Sequence, residues 1–120
     1  MQASDQRALK VVIVGSRSIT SYELVEQAVQ KSGFIIDEVV SGTALGVDQL
    51  GEQYAHQHDL PIRRFPADWS LGRSAGMRRN RQMAEYADAV IVLWDGKSPG
   101  SANMIRTAKE LRKPCFVFEA

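Results

Sequence analysis

Cysteine is almost missing from this chain. Cys115 stands alone, which excludes an internal disulfide and suits a reducing compartment. No apolar run approaches the ~20 residues needed to cross a bilayer. The opening stretch MQASDQRALK lacks the apolar middle of a secretion signal, so a cytoplasmic location away from membranes is expected. A dominant charge is missing too. Fifteen Lys and Arg stand against 14 Asp and Glu, a net charge of +1, too little for bulk attraction to coat nucleic acid. Histidine is confined to His56 and His58 near one helix end, with no metal-ligand spacing, so no metal is expected.

Two nucleotide motifs are absent as well. Gly15-Ser16-Arg17 does not continue as G-x-G-x-x-G, which removes the dinucleotide fingerprint. No G-x-x-x-x-G-K-[ST] occurs, which removes the ATP-hydrolysing phosphate loop. Neither these motifs nor any other implies a bound cofactor.

What is present is ordinary globular chemistry. At 120 residues, with 44% hydrophobic and 24% charged residues, the chain can bury one continuous core. Five apolar runs are read as strands: Lys10–Val14, Phe34–Val40, Pro61–Phe65, Ala89–Trp94 and Cys115–Phe118. The first and fourth do not alternate, as expected of parallel strands covered on both faces. Four helical patterns separate them. Thr20-Ser-Tyr-Glu23 reads as a capping box for the first helix. The second carries Val47, Leu50, Gly51, Tyr54 and Ala55 on one face. The third spans about Ser74–Tyr86, and the fourth runs from Ser101 to Leu111 ahead of Pro114, with Ser74 and Ser101 as expected N-caps. Alternating strands and helices imply right-handed crossovers, and hence a Rossmann-like three-layer α/β/α sandwich on a five-stranded, mainly parallel sheet. Residues 1–8 are expected to form a loose tail, and residues 9–120 a single domain.

In such sheets ligands sit beyond the carboxyl ends of the strands, where the strand order reverses. The residues there are Gly15-Ser16-Arg17-Ser18, then Ser41-Gly42-Thr43-Ala44-Leu45-Gly46-Val47-Asp48, then Pro66–Arg73, then Asp95-Gly96-Lys97-Ser98-Pro99-Gly100-Ser101. Glycine lets backbone N–H groups approach an anion, and a helix amino end offers unsatisfied donors and roughly half a positive charge. Taken singly, each loop is explained by turn chemistry. Their convergence at one sheet edge points to a phosphate or nucleotide site.

Basic charge is concentrated in Arg73, Arg78, Arg79 and Arg81. On a helix Arg78 and Arg81 share a face, while Arg79 projects about 100° away and is expected to enter the cleft alone. Asp48 and Asp95 are the carboxylates at this edge. Either could act as acid or nucleophile in glycoside chemistry, and Asp48 could equally cap backbone amides or hold a ribose hydroxyl. Trp69 could stack on a base or pin down its loop. Trp94 could wall the pocket or belong to the core, and Cys115 reads as a small core residue.

Five stretches together give the chain a family resemblance: VIVGSR, VVSGTALGVDQLGEQYA, FPADW, GMRRNRQMAEYADAVIVLWDG and SPGSANMI. They resemble the SLOG superfamily of Rossmann-like nucleotide-ligand domains, in particular its YspA, cpYpsA-related family, over most of the chain. Relatives include the LOG-type phosphoribohydrolases, which release a base from a nucleoside monophosphate, and the single-stranded DNA-binding protein DprA. The resemblance places Arg79 where the LOG enzymes keep an arginine near the scissile bond, because Gly76–Met83 follows their M-H-x-R-K-x-x-M frame. It also places Met104 where their P-G-G-x-G-T-x-x-E motif has its catalytic glutamate. That departure favours a sensor or sequestering module over LOG-like hydrolysis, with an N-glycoside hydrolase as the alternative.

Arg79-Asn80-Arg81 also resembles the DprA helix, which keeps a single-stranded DNA groove as a further alternative, while the near-neutral charge favours a small nucleotide-like ligand. Pairing through helix faces, as in relatives, implies a homodimer. The expected binding set is Gly15, Ser16, Arg17, Gly42, Thr43, Gly46, Asp48, Arg79, Asn80, Asp95, Gly100 and Ser101, with Trp69 against a base. Asp48, Asp95 and Arg79 are the catalytic candidates.

Overall fold

A computed structural model describes residues 7–120. Five strands are formed: β1 (Ala8–Gly15), β2 (Ile35–Ser41), β3 (Ile62–Arg64), β4 (Ala89–Trp94) and β5 (Cys115–Glu119). Four helices separate them: α1 (Tyr22–Ser32), α2 (Val47–Gln57), α3 (Ala75–Tyr86) and α4 (Pro99–Glu110). All pairings are parallel, in the order β3-β2-β1-β4-β5. The chain first winds outward from β1 to β3, then returns to add β4 and β5 on the other side. The order therefore reverses between β1 and β4, which opens a crevice at their carboxyl ends.

Alternate side chains along β1 and β4 point to opposite faces of the sheet, which explains the layers. Val11, Ile13, Ala89, Ile91 and Leu93 face one core, which α1 and α2 close with Val25, Ala28, Val47 and Ala55. Val12, Val14, Val90 and Val92 face the second, closed by Met83 and Ala84 of α3 and by Met104 and Ala108 of α4. Ile13, Met83, Ile91 and Leu93 are fully buried, each stabilising the fold by about 1.5–3 kcal/mol through removal from water. The central strands read as continuous apolar runs because both faces are covered.

Several local expectations are corrected. Of the expected tail, residues 1–6 lie outside the described residues, and Ala8 already pairs with Ile35 as the first residue of β1. The Thr20–Glu23 capping box is not formed. Ser21 occupies the N-cap position of α1 without a side-chain capping bond, and the Ser21 carbonyl accepts from the Leu24 N–H at 3.2 Å. A 3-10 segment, Trp69–Ser74, kinked at Gly72 where the backbone leaves helical angles, leads into α3, and Ser74 carries helical backbone angles. Its hydroxyl accepts from Arg78 Nε at 3.0 Å instead of capping. The fourth helix begins earlier than expected, at Pro99. Proline suits this first position because its missing N–H would have no partner there, so Ser98 takes the N-cap place and Ser101 falls inside the first turn. No helix among the described residues is long and apolar enough to cross a membrane.

Candidate functional site

A cleft of about 680 Å³ opens where the strand order reverses. Its floor is the end of β1, with Val14 and Gly15, and its near wall carries Arg17, Ser18 and Asp95 from the loops after β1 and β4. Asp48 and Ala44 enter from the β2–α2 side. Arg79 and Asn80 enter from α3, and Gly100 and Ser101 from the first turn of α4. Trp69 stands at the rim and is 64% exposed.

The β2–α2 turn is built around Asp48. Only 3% of this residue is exposed, yet its carboxylate accepts the Ala44 N–H at 3.2 Å. Loss of water raises its pKa to about 6, while the Ala44 amide and the nearby Arg79 charge pull the other way. Arg79 comes from the opposite layer and donates from Nη1 to the Gly42 carbonyl oxygen. Burial lowers its pKa, and Asp48 opposes that shift. No direct ion pair joins the two among the described residues.

Glycine at position 42 makes room for two side chains. A β-carbon there would lie 2.6 Å from Asp48 Oδ2 and 2.8 Å from Arg79 Nη1. Thr43 follows at φ 63°, an uncommon conformation for a β-branched residue. Its N–H donates to Ser41 Oγ at 3.1 Å.

The β4–α4 loop is organised differently. Asp95 Oδ1 accepts the Lys97 and Ser98 N–H groups, both at 2.9 Å. Its Oδ2 accepts from Ser18 Oγ at 3.1 Å. These bonds favour the ionised form and lower its pKa to about 2. The Asp95 N–H donates to the buried Ser16 hydroxyl at 3.1 Å, so Ser16 ties the ends of β1 and β4 together. Beyond this turn α4 presents its amino end to the cleft. Ser101 there is 5% exposed, and its hydroxyl makes no hydrogen bond among the described residues.

Asn80 spans the gap between α3 and α4. Its Oδ1 accepts from Arg79 Nε at 3.2 Å, and its Nδ2 donates to the Gly100 carbonyl at 3.3 Å and to Asn103 Oδ1 at 3.0 Å. Its carboxamide is thus committed to holding Arg79 and the first turn of α4 in place.

Not every expected site residue meets the cleft. Ser16, Gly42, Thr43 and Gly46 do not line it. Gly42 lies beneath the Asp48 and Arg79 side chains, and Gly46 packs against the Arg17 backbone. Trp94 also stays outside; its indole N–H donates to the Ser98 carbonyl at 3.1 Å, and its ring packs on the second core. Cys115 is only half-buried on the edge strand, where burial raises its thiol pKa. His58 stacks on Tyr54 and lies 3.6 Å from Glu26, away from the cleft.

Arg73, Met77, Asn103 and Arg106 line the cleft without having been singled out as binding residues. A signal for two of them existed in the helical spacing. From Gly100, steps of three along α4 reach Asn103 and Arg106 on one face. Met104, at the glutamate position of the LOG motif, is completely buried in the second core, so no carboxylate stands there.

A family model described as the YspA, cpYpsA-related SLOG family matches residues 9–72, just over half of the chain. The structure is similar to that of DNA processing protein A from Helicobacter pylori, a protein studied for its single-stranded DNA binding mode. The TM-score is 0.65 at 26% sequence identity, over 97% of this chain and 68% of that one. No curated protein matches the sequence.

Proposed function

Because the chain belongs to the YspA, cpYpsA-related SLOG family, we propose that it binds a nucleotide or nucleotide-derived ligand in the β1–β4 cleft, as a sensor or sequestering module. The arrangement around Arg79 carries this reading. A half-buried guanidinium, braced by Gly42 and Asn80, faces an open helix amino end across the cleft. Its planar fork suits phosphate oxygens, and the amides of Gly100 and Ser101 add donors without added charge. Trp69 offers an exposed ring for a base. The apolar burial of Met104 supports binding without LOG-like hydrolysis.

Calorimetric titration of nucleoside monophosphates against the matching nucleosides tests the assignment. Arg79→Ala should weaken the phosphorylated ligand at least roughly tenfold, since charge-assisted bonds are the strong ones, and should scarcely affect the nucleoside. Equal loss for both would refute the phosphate role. Incubation with the same monophosphates should release no base; release would replace this reading with an N-glycoside hydrolase using Asp48. A second reading, a single-stranded DNA module, is favoured by the likeness to DNA processing protein A. Oligonucleotide binding that falls steeply with salt would support it.

A further inference from the structure

We propose that the ligand of this cleft carries a second phosphoryl group, held by Arg106 and Arg78 where the cleft adjoins the groove between α3 and α4. The proposal rests on the nucleotide reading and names the ligand class more narrowly: a nucleoside diphosphate or a related small phosphoanhydride.

The two cavities adjoin. A groove of about 250 Å³ shares Met77, Asn103 and Arg106 with the main cleft. Arg106 is exposed and makes no hydrogen bond or ion pair among the described residues. Arg78 commits only its Nε, to Ser74, leaving both terminal nitrogens open. A phosphoryl group on Arg79 would leave Arg106, which lines the same cleft, and Arg78, which lines the adjoining groove, without an anion. An exposed guanidinium is well solvated, so it needs no partner to be stable; its value to a ligand lies in bidentate phosphate geometry.

The far end of the groove limits how long the ligand can be. Arg81 is already engaged by Glu85 at 3.4 Å and by Glu110 at 3.4 Å. Glu110 itself lines the groove. A strand of phosphates extended past Arg106 would meet the Glu110 carboxylate, and like charges in contact are unfavourable. Two phosphoryl groups fit this pattern of charge better than an extended nucleic-acid backbone does.

The test titrates a nucleoside monophosphate, the matching diphosphate and a short single-stranded oligonucleotide into the wild-type protein, Arg106→Ala and Arg78→Ala. The wild-type protein should prefer the diphosphate to the monophosphate by roughly tenfold, as one additional charge-assisted contact allows. Arg106→Ala should reduce that ratio to about one, and Arg78→Ala should reduce it partly. A wild-type ratio of one, or a ratio unchanged in Arg106→Ala, would overturn the second subsite while leaving the cleft reading intact. An oligonucleotide that binds more tightly than the diphosphate, and weakens in both variants, would overturn the short-ligand assignment. Failure of every nucleotide to bind the wild-type protein would defeat the cleft reading, and this proposal with it.

Discussion

Two junctions between a strand and a helix carry almost the same residue types and end up electrostatically opposite. After β2, Asp48 is desolvated and its pKa rises to about 6; after β4, Asp95 collects amide and hydroxyl donors and its pKa falls to about 2. The difference comes from where the chain spends its N–H groups. In the first junction the Ala44 and Gly15 amides and a guanidinium from another layer favour the carboxylate, and burial outweighs them. In the second the loop folds around the carboxylate itself, so the helix amino end stays open to a ligand. Composition alone would have assigned both junctions the same task.

Titration of stability offers the largest contrast. Asp48 has a folded pKa of about 6 against 3.8 unfolded, so the folded state binds the extra proton between those values. Stability contributed by protonated Asp48 is therefore full below about pH 4 and lost as pH rises through 6, a change on the order of 3 kcal/mol. Asp48→Asn should flatten that slope in urea unfolding followed from pH 4 to 7. A slope that survives the substitution would place the titrating group elsewhere.

Gly42→Ala should separate binding from folding. The added methyl meets only side-chain ends, which can swing aside at modest cost in stability. Displacing Arg79 should nevertheless weaken nucleoside monophosphate binding roughly tenfold, or about 1.4 kcal/mol. Retained affinity would show that Arg79 does not act from its position over Gly42.

Asp95→Asn reverses the pH sign of Asp48. The depressed pKa means its contribution is present above pH 4 and lost as pH falls toward 2. The variant should lose stability mainly at neutral pH, by less than the Asp48 effect, because this side chain is half-exposed and screened by water. Gly100→Ala should do least. No atom lies within 4 Å of an added β-carbon, and alanine favours the helix by up to about 1 kcal/mol. A small rise in melting temperature with unchanged nucleotide affinity is expected, because alanine keeps the backbone N–H that faces the ligand; lost affinity would mean that the ligand also packs against the α-carbon of this residue.

Much of the fold was legible because hydrophobic period and burial obey the same geometry. The unbroken apolar runs of β1 and β4 announced strands covered on both faces, and the position of Asp48 in the first turn of α2 placed it at the sheet edge. Capping was less legible. Ser98 and Ser101 are chemically equivalent starts, and only the fixed angle of Pro99 selects the earlier one. The 3-10 helix at Trp69–Ser74 carries no periodic apolar signal, since none of its residues is buried. The site was legible as a set of loops but not as a division of labour. That Asn80 braces a neighbour, and that Gly42 makes room for side chains, depend on contacts between residues 20 to 37 positions apart.

The contact of Arg79 with Gly42 has a dynamic consequence. It reaches from the α3–α4 layer around the end of the sheet to the α1–α2 layer, so the two cores are latched at one point. Local opening of either layer there must break the latch, and a phosphate seated on Arg79 would tighten it. In hydrogen exchange, the first turns of α2 and α3 should then slow together when nucleotide is added, although they belong to different cores.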